Sequence, residues 1–242
     1  MTEFIVILVG FTIAGWIQGL LGFGFAVATT LMLVNRIDFT MLVFLNLCMS
    51  VLTSLIAMLS GKNLRSIHKS TLWKLMVSSL IGLLIGTAML DLINALILKK
   101  ITLLVILMAS LVSLTKNKRL FAHNYMTWIS GFFSGVLTPS TGINGPLVAL
   151  HLNAAFTDKE PTRNTMLSYL FLIMVFGVIA MSIQGSLPAE TWNTLPKVII
   201  PSVAGYVLGM LSFRLLSHGV FKTMVTLFLI ISSLSSFIYL IL

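Results

Sequence analysis

Two clusters of glycine and uncharged polar residues interrupt long apolar runs, and their types and spacing suit ligand binding. The first is Gly19-Leu20-Leu21-Gly22-Phe23-Gly24, preceded by Gln18; the second is Thr138-Pro139-Ser140-Thr141-Gly142-Ile143-Asn144-Gly145-Pro146. A helix that restarts inside a membrane exposes backbone N–H groups and the positive end of its dipole, which together attract an anion. Gly22, Gly24, Gly142 and Gly145 have no Cβ, so a ligand can come close to their backbone. Gln18, Thr138, Ser140, Thr141 and Asn144 add neutral hydrogen-bonding groups without a countercharge. For any one Ser or Thr, capping or back-bonding its own helix is an equal reading. Their clustering beside Pro139 and Pro146, in matching places of the two halves, favours a cargo site.

Other chemistry finds no support in the sequence. No span holds paired carboxylates, a nucleophile beside a base, or a metal constellation, so no catalytic residue, no metal site and no cofactor is expected. His68, His123, His151 and His218 show no paired spacing. Cys48 is the single cysteine, which excludes an intrachain disulfide and a thiolate cluster. Gly19 to Gly24 reads GxxGxG, and neither a strand nor a ribose-binding acid accompanies it, which argues against a dinucleotide. Asp38, Asp91, Asp158 and Glu160 all fall near span ends, so a cation cargo held by an intramembrane carboxylate is disfavoured. Arg163 follows Pro161 at the entry to a span, where it either attracts the anion or snorkels as a topology anchor. Arg36 and Arg214 are weaker candidates of the same kind. Asn46, polar and mid-span, either lines the path or bonds a neighbouring helix.

The elements that position these residues follow from composition. Of 242 residues, 58% are apolar and 9% charged, with a mean hydropathy of +1.07, too little polar surface for a soluble domain. The chain reads as an all-α polytopic membrane protein, one transmembrane domain over 1–242. Six ordinary spans are expected at 39–60, 72–90, 97–115, 165–184, 195–213 and 221–242, with interrupted runs at 4–34 and 126–154. The first run is too long for a signal-peptide core, so no cleavage is expected. Order repeats between 1–118 and 119–242: Gly15-x-x-x-Gly19 with Gly131-x-x-x-Gly135, Gly82-x-x-x-Gly86 with Gly205-x-x-x-Gly209, Thr40-Met41-Leu42 with Thr165-Met166-Leu167, and Lys99 with Lys222. Each half is thus one interrupted run plus three helices. The GxxxG faces either pack the halves together or pair two protomers into a homodimer.

Charge decides how the interrupted runs thread. The formal +9 resides in short loops and not in a basic stripe interleaved with aromatics, which argues against nucleic acid. If each run crosses once, the bases divide eight to seven between the faces. If each is a re-entrant hairpin, Arg36, Lys99, Lys100 and Lys197 lie on the N-terminal side and the other eleven Lys and Arg on the opposite side, the bias that the positive-inside rule demands. Each run then makes two half-helices of roughly 20 Å reaching the midplane. This favours hairpins, both termini outside, and a second half inverted relative to the first.

At the two interruptions the sequence resembles the sulfite exporter TauE/SafE family of membrane transporters. The matching stretches are Gly15 through Ala26, Gly131-Phe132-Phe133-Ser134-Gly135, Ser140 through Pro146, and Arg163-Asn164-Thr165 at the next span. The resemblance implies transport of small organic or sulfur-containing anions across a prokaryotic inner membrane. Two positions depart from the pattern: Thr138-Pro139 replaces a small, glycine-rich pair, and Asn144 replaces a common glycine. The expectation is a secondary transporter for a small anion, working in the lipid bilayer by alternating access, with Gln18, Gly22, Gly24, Thr138, Ser140, Thr141, Gly142, Asn144, Gly145 and Arg163 as substrate-binding residues. A channel-like pore using the same hairpins, or a membrane protein without transport, are the rival classes.

Overall fold

In lipid, backbone groups must be satisfied within the segment, so apolar runs of this length become helices. The computed structural model describes residues 2–59, 66–90, 92–94, 97, 100–101, 104, 107–108, 121–185 and 187–241. Among the described residues the elements are α1 (Thr2–Leu21), α2 (Phe25–Leu33), α3 (Phe39–Leu59), α4 (Lys69–Leu90), α5 (Asn124–Thr141), α6 (Gly145–Ala155), α7 (Lys159–Gln184), α8 (Glu190–Leu215) and α9 (His218–Ile241), with no strand. Five of these helices, α1, α3, α4, α7 and α8, are long and apolar enough to cross a membrane. Most of the expected span 97–115 and of loops 61–65 and 116–120 lies outside the described residues. The chain is a multi-pass, all-α membrane protein.

Both interrupted runs fold back on themselves. Gly22 (φ 84°) and Gly142 (φ 66°) hold left-handed backbone that an L side chain rarely adopts, and they stop α1 and α5; Gly24 (φ 99°) then precedes α2. Past the first break, Leu33 at the end of α2 packs on Gly10, and Phe25 meets Phe11 edge-on at 5.8 Å. Past the second, His151 Nε2 lies 2.9 Å from Thr127 Oγ1, and its Nδ1 lies 2.7 Å from the Phe121 carbonyl. The arms are unequal, with 20 and 9 residues in the first hairpin and 18 and 11 in the second, where the sequence suggested near-equal halves. The glycines that permit reversal stand past the middle of each apolar run, so the leading arm is the longer one.

Eight glycines bring helices from the two halves into backbone contact. A Cβ on Gly15 or Gly19 of α1 would overlap the backbone of α8 around Ser202 and Tyr206, and one on Gly205 or Gly209 would overlap α1 at Thr12 and Trp16. Gly82 and Gly86 of α4 meet α5 at Phe132 and Val136 in the same way, while Gly131 and Gly135 meet Leu75, Ser78 and Ser79. In both pairs contact positions advance together, so the helices run parallel. The GxxxG faces are therefore engaged within one chain, each joining the long arm of one hairpin to a helix of the other half.

Contacts near the helix ends place the loops. Lys74 Nζ donates to Asn124 Oδ1 at 3.2 Å, the His68 N–H to Thr165 Oγ1 at 3.0 Å, and Asn164 Nδ2 to Ser66 Oγ at 2.7 Å. Lys159 Nζ donates to the Leu216 carbonyl. The starts of α4, α5 and α7 and the end of α8 therefore share one face, with Lys69, Lys74, Lys159, Arg163 and Arg214. Lys197 belongs to the opposite face, its Nζ 5.7 Å from the Phe4 ring. Loop 214–222 thus lies with loop 66–69, the arrangement that re-entrant runs require.

Candidate functional site

The hairpin tips meet inside the helix bundle. Gln18, near the end of α1, is fully buried; its Nε2 donates to Ser54 Oγ at 3.2 Å, and its Oε1 accepts from Ser50 Oγ at 3.3 Å. Those serines lie in the middle of α3, so the first tip ends near the bundle's centre although α1 alone could span a bilayer. The second tip arrives from the other side. A Cβ on Gly142 would lie 3.7 Å from Asn46 Cβ, and one on Gly145 would lie 3.2 Å from Phe23 Cβ. Phe23 at one tip and Gly145 at the other are thus in direct apposition.

Between the tips is a narrow cavity with room for about one water, lined by Gln18, Gly24, Ser50, Gly142, Asn144 and Gly145, the first turn of α2, and Leu170 and Met174 of α7. Every lining residue is buried. Two helices begin at its wall, α2 after Gly24 and α6 after Asn144, and neither receives a side-chain cap. Their leading N–H groups lack intrahelical acceptors, so both positive dipole ends converge on the same space. Among the described residues, no Asp or Glu lines it.

The ten residues marked by sequence divide accordingly. Gln18, Gly24, Gly142, Asn144 and Gly145 come together at the cavity. Thr138, Ser140 and Thr141 serve the hairpin itself. Thr138 Oγ1 donates to the Ser134 carbonyl at 2.8 Å and accepts from Asn144 Nδ2 at 3.2 Å. Thr141 Oγ1 donates to the Leu137 carbonyl and accepts from the Ile143 N–H at 3.1 Å, a local turn closure. Ser140 bonds back to its own helix and faces a separate cavity of about 120 Å³ beside Phe39, Thr40 and Met181.

Gly22 and Arg163 pair with each other at the back of the first tip. Arg163 is 3% exposed, so it does not snorkel. It donates through Nη2 to the Gly19 carbonyl and lies 4.5 Å from the Phe213 ring centre. A Cβ on Gly22 would come 2.8 Å from Arg163 Cγ. The guanidinium thus sits at the C-terminal end of α1, where a positive charge is favoured, and the tip separates it from the cavity.

Several groups at the site were not marked by sequence. Tyr169 Oη donates to Ser134 Oγ at 2.6 Å, and Ser134 Oγ donates to the Asn144 carbonyl at 2.7 Å, which fixes the residue preceding α6. Ser50 and Ser54 hold Gln18. One signal could have found the serines: Asn46, Ser50 and Ser54 recur every four residues on a mostly apolar α3, a polar stripe on one helix face.

The family profile described as sulfite exporter TauE/SafE matches residues 6–236, nearly the whole chain and both hairpins. No curated protein and no solved structure matches the sequence. With its all-helical bundle and its two interrupted runs, the chain belongs to the sulfite exporter TauE/SafE family of membrane transporters.

Proposed function

We propose that this protein is a secondary transporter that carries a small organic or sulfur-containing anion across a prokaryotic inner membrane, binding it between the two hairpin tips. The observation that carries this reading is the convergence of two uncapped helix N-termini on one buried cavity with no lining carboxylate. Gln18, Gly24, Gly142, Asn144 and Gly145 form the pocket. Thr138, Thr141 and the Ser134–Tyr169 pair hold its shape, and Gly22 with Arg163 anchors the first tip. A cavity this narrow and this buried suits a carrier in an occluded state better than an open pore.

The halves act as inverted repeats that rock against each other, so that the site opens to one side and then the other. The eight-glycine contacts support this reading, because they tie each hairpin to the opposite half. The face with Lys69, Lys74, Lys159 and Arg214 is cytoplasmic by the positive-inside rule, and both termini lie outside. The protein needs no cofactor and performs no covalent chemistry.

Proteoliposomes loaded with sulfite or methanesulfonate test the proposal. Saturable flux accelerated by the same anion on the opposite side supports a carrier. Large unitary currents would point to the pore, and no flux of either anion would remove the assignment.

A further inference from the structure

One polar group at the tips is held in place yet left unused. Asn46 is fully buried in α3. The Thr29 hydroxyl of α2 donates to its Oδ1 at 2.6 Å, while its Nδ2 has no hydrogen-bond partner. Gly142 of the second tip covers the same side chain, since a Cβ there would lie 3.7 Å from Asn46 Cβ. One turn further along α3, Ser50 lines the inter-tip cavity. Buried amide donors are nearly always satisfied, because an unmade bond to water is costly. This one stands where α2, α3 and the second tip meet.

We propose that Asn46 binds the transported anion directly through its amide Nδ2, with Thr29 holding the amide so that its donor faces the site. This rests on the inter-tip cavity being the transport site. Thr29 is the selecting element: engaging Oδ1 leaves only N–H groups for the cargo. The ligand favoured is a small oxyanion, since the Asn46 amide and the backbone N–H groups at the starts of α2 and α6 all present donors. The backbone N–H groups of α2 and α6 supply general attraction, and Asn46 supplies discrimination.

The contact is not needed for stability. Without Asn46, the Thr29 hydroxyl still has its own helix carbonyls, Phe25 at 3.0 Å and Ala26 at 3.1 Å. Asn46→Leu therefore leaves no orphan, and its unliganded melting temperature is expected to equal or exceed the parent's.

The test is a thermal-shift titration of the purified full-length protein with sulfite, sulfate and methanesulfonate, against chloride as the ionic control. The parent is stabilised by at least one of these oxyanions. Asn46→Leu binds that anion roughly tenfold more weakly or worse, and Asn46→Asp does not bind it. Thr29→Val, which frees the amide to turn, gives an intermediate loss. If Asn46→Leu keeps the parent's affinity while Gln18→Leu, which changes another side chain lining the cavity, loses it, Asn46 is not a ligand and the inter-tip site stands. If both variants keep it, or no oxyanion stabilises the parent, the site assignment fails along with the proposal.

Discussion

The guanidinium of Arg163 donates to the carbonyl of Gly19, 144 positions earlier in the chain, and its Cγ occupies the space beside Gly22 that a side chain would need. One residue of the second half thus fastens the tip of the first. Arg163→Leu leaves the Gly19 carbonyl buried without this donor, a loss of roughly 1–3 kcal/mol. The expected result is a lower melting temperature and slower flux. Arg163→Lys restores part of the stability, because an ammonium keeps the charge at the end of α1 but not the guanidinium's contact over the Phe213 ring.

The Ser134 hydroxyl links Tyr169 to the Asn144 carbonyl, and the two links rank their variants. Tyr169→Phe removes one hydrogen bond, worth about 1 kcal/mol. Ser134→Ala leaves the buried Asn144 carbonyl without this donor, while Tyr169 keeps a side-chain hydrogen bond with Ser79, so its cost is greater, roughly 1–3 kcal/mol. Chemical denaturation in detergent checks the order, and an equal or reversed ranking would count against a positioning role for Ser134.

The interlocked glycines predict a sharp contrast. Gly19→Val and Gly86→Val each drive a branched side chain into the backbone of a parallel helix, and little folded protein is expected. Gly219→Ala meets nothing within 4 Å and should express and melt like the parent. Size-exclusion profiles of the detergent-solubilised variants provide the comparison.

Gly142 separates strain from crowding. Its neighbours leave ordinary van der Waals room for a methyl, yet its φ of 66° opposes any L side chain. Gly142→Ala should cost about 1–2 kcal/mol while retaining measurable flux. Gly142→Leu fills the space above Val43 and Asn46 and should stop transport.

What the sequence made legible was local in origin. The GxxxG spacings and the breaks at Gly22–Gly24 and Gly142–Gly145 are visible because small residues stand out in apolar runs, and counting bases selected the hairpin threading. The unequal arms were not legible, since a hydropathy run does not say how far a reversal stands from its centre. Arg163 was harder still: its partner depends on how α7 packs against α1, and an arginine at a span entry reads equally as an interfacial anchor. Thr141 and Ser140 looked like ligands because polar groups are rare in these runs, whereas their nearest acceptors are their own helix carbonyls. The polar stripe of Asn46, Ser50 and Ser54 was visible in the sequence, but its place at the site depends on how far the tips reach along α3.

The central claim is that the two tips meet in the occluded state and must part for transport. Phe23→Cys with Gly145→Cys, in a Cys48→Ser background, tests it directly, because a Cβ on Gly145 lies 3.2 Å from Phe23 Cβ, close to the separation a disulfide needs. The account predicts that oxidation links the tips within one chain and halts anion flux in proteoliposomes, and that reduction restores it. Failure to cross-link, or undiminished flux through the cross-linked protein, would contradict it.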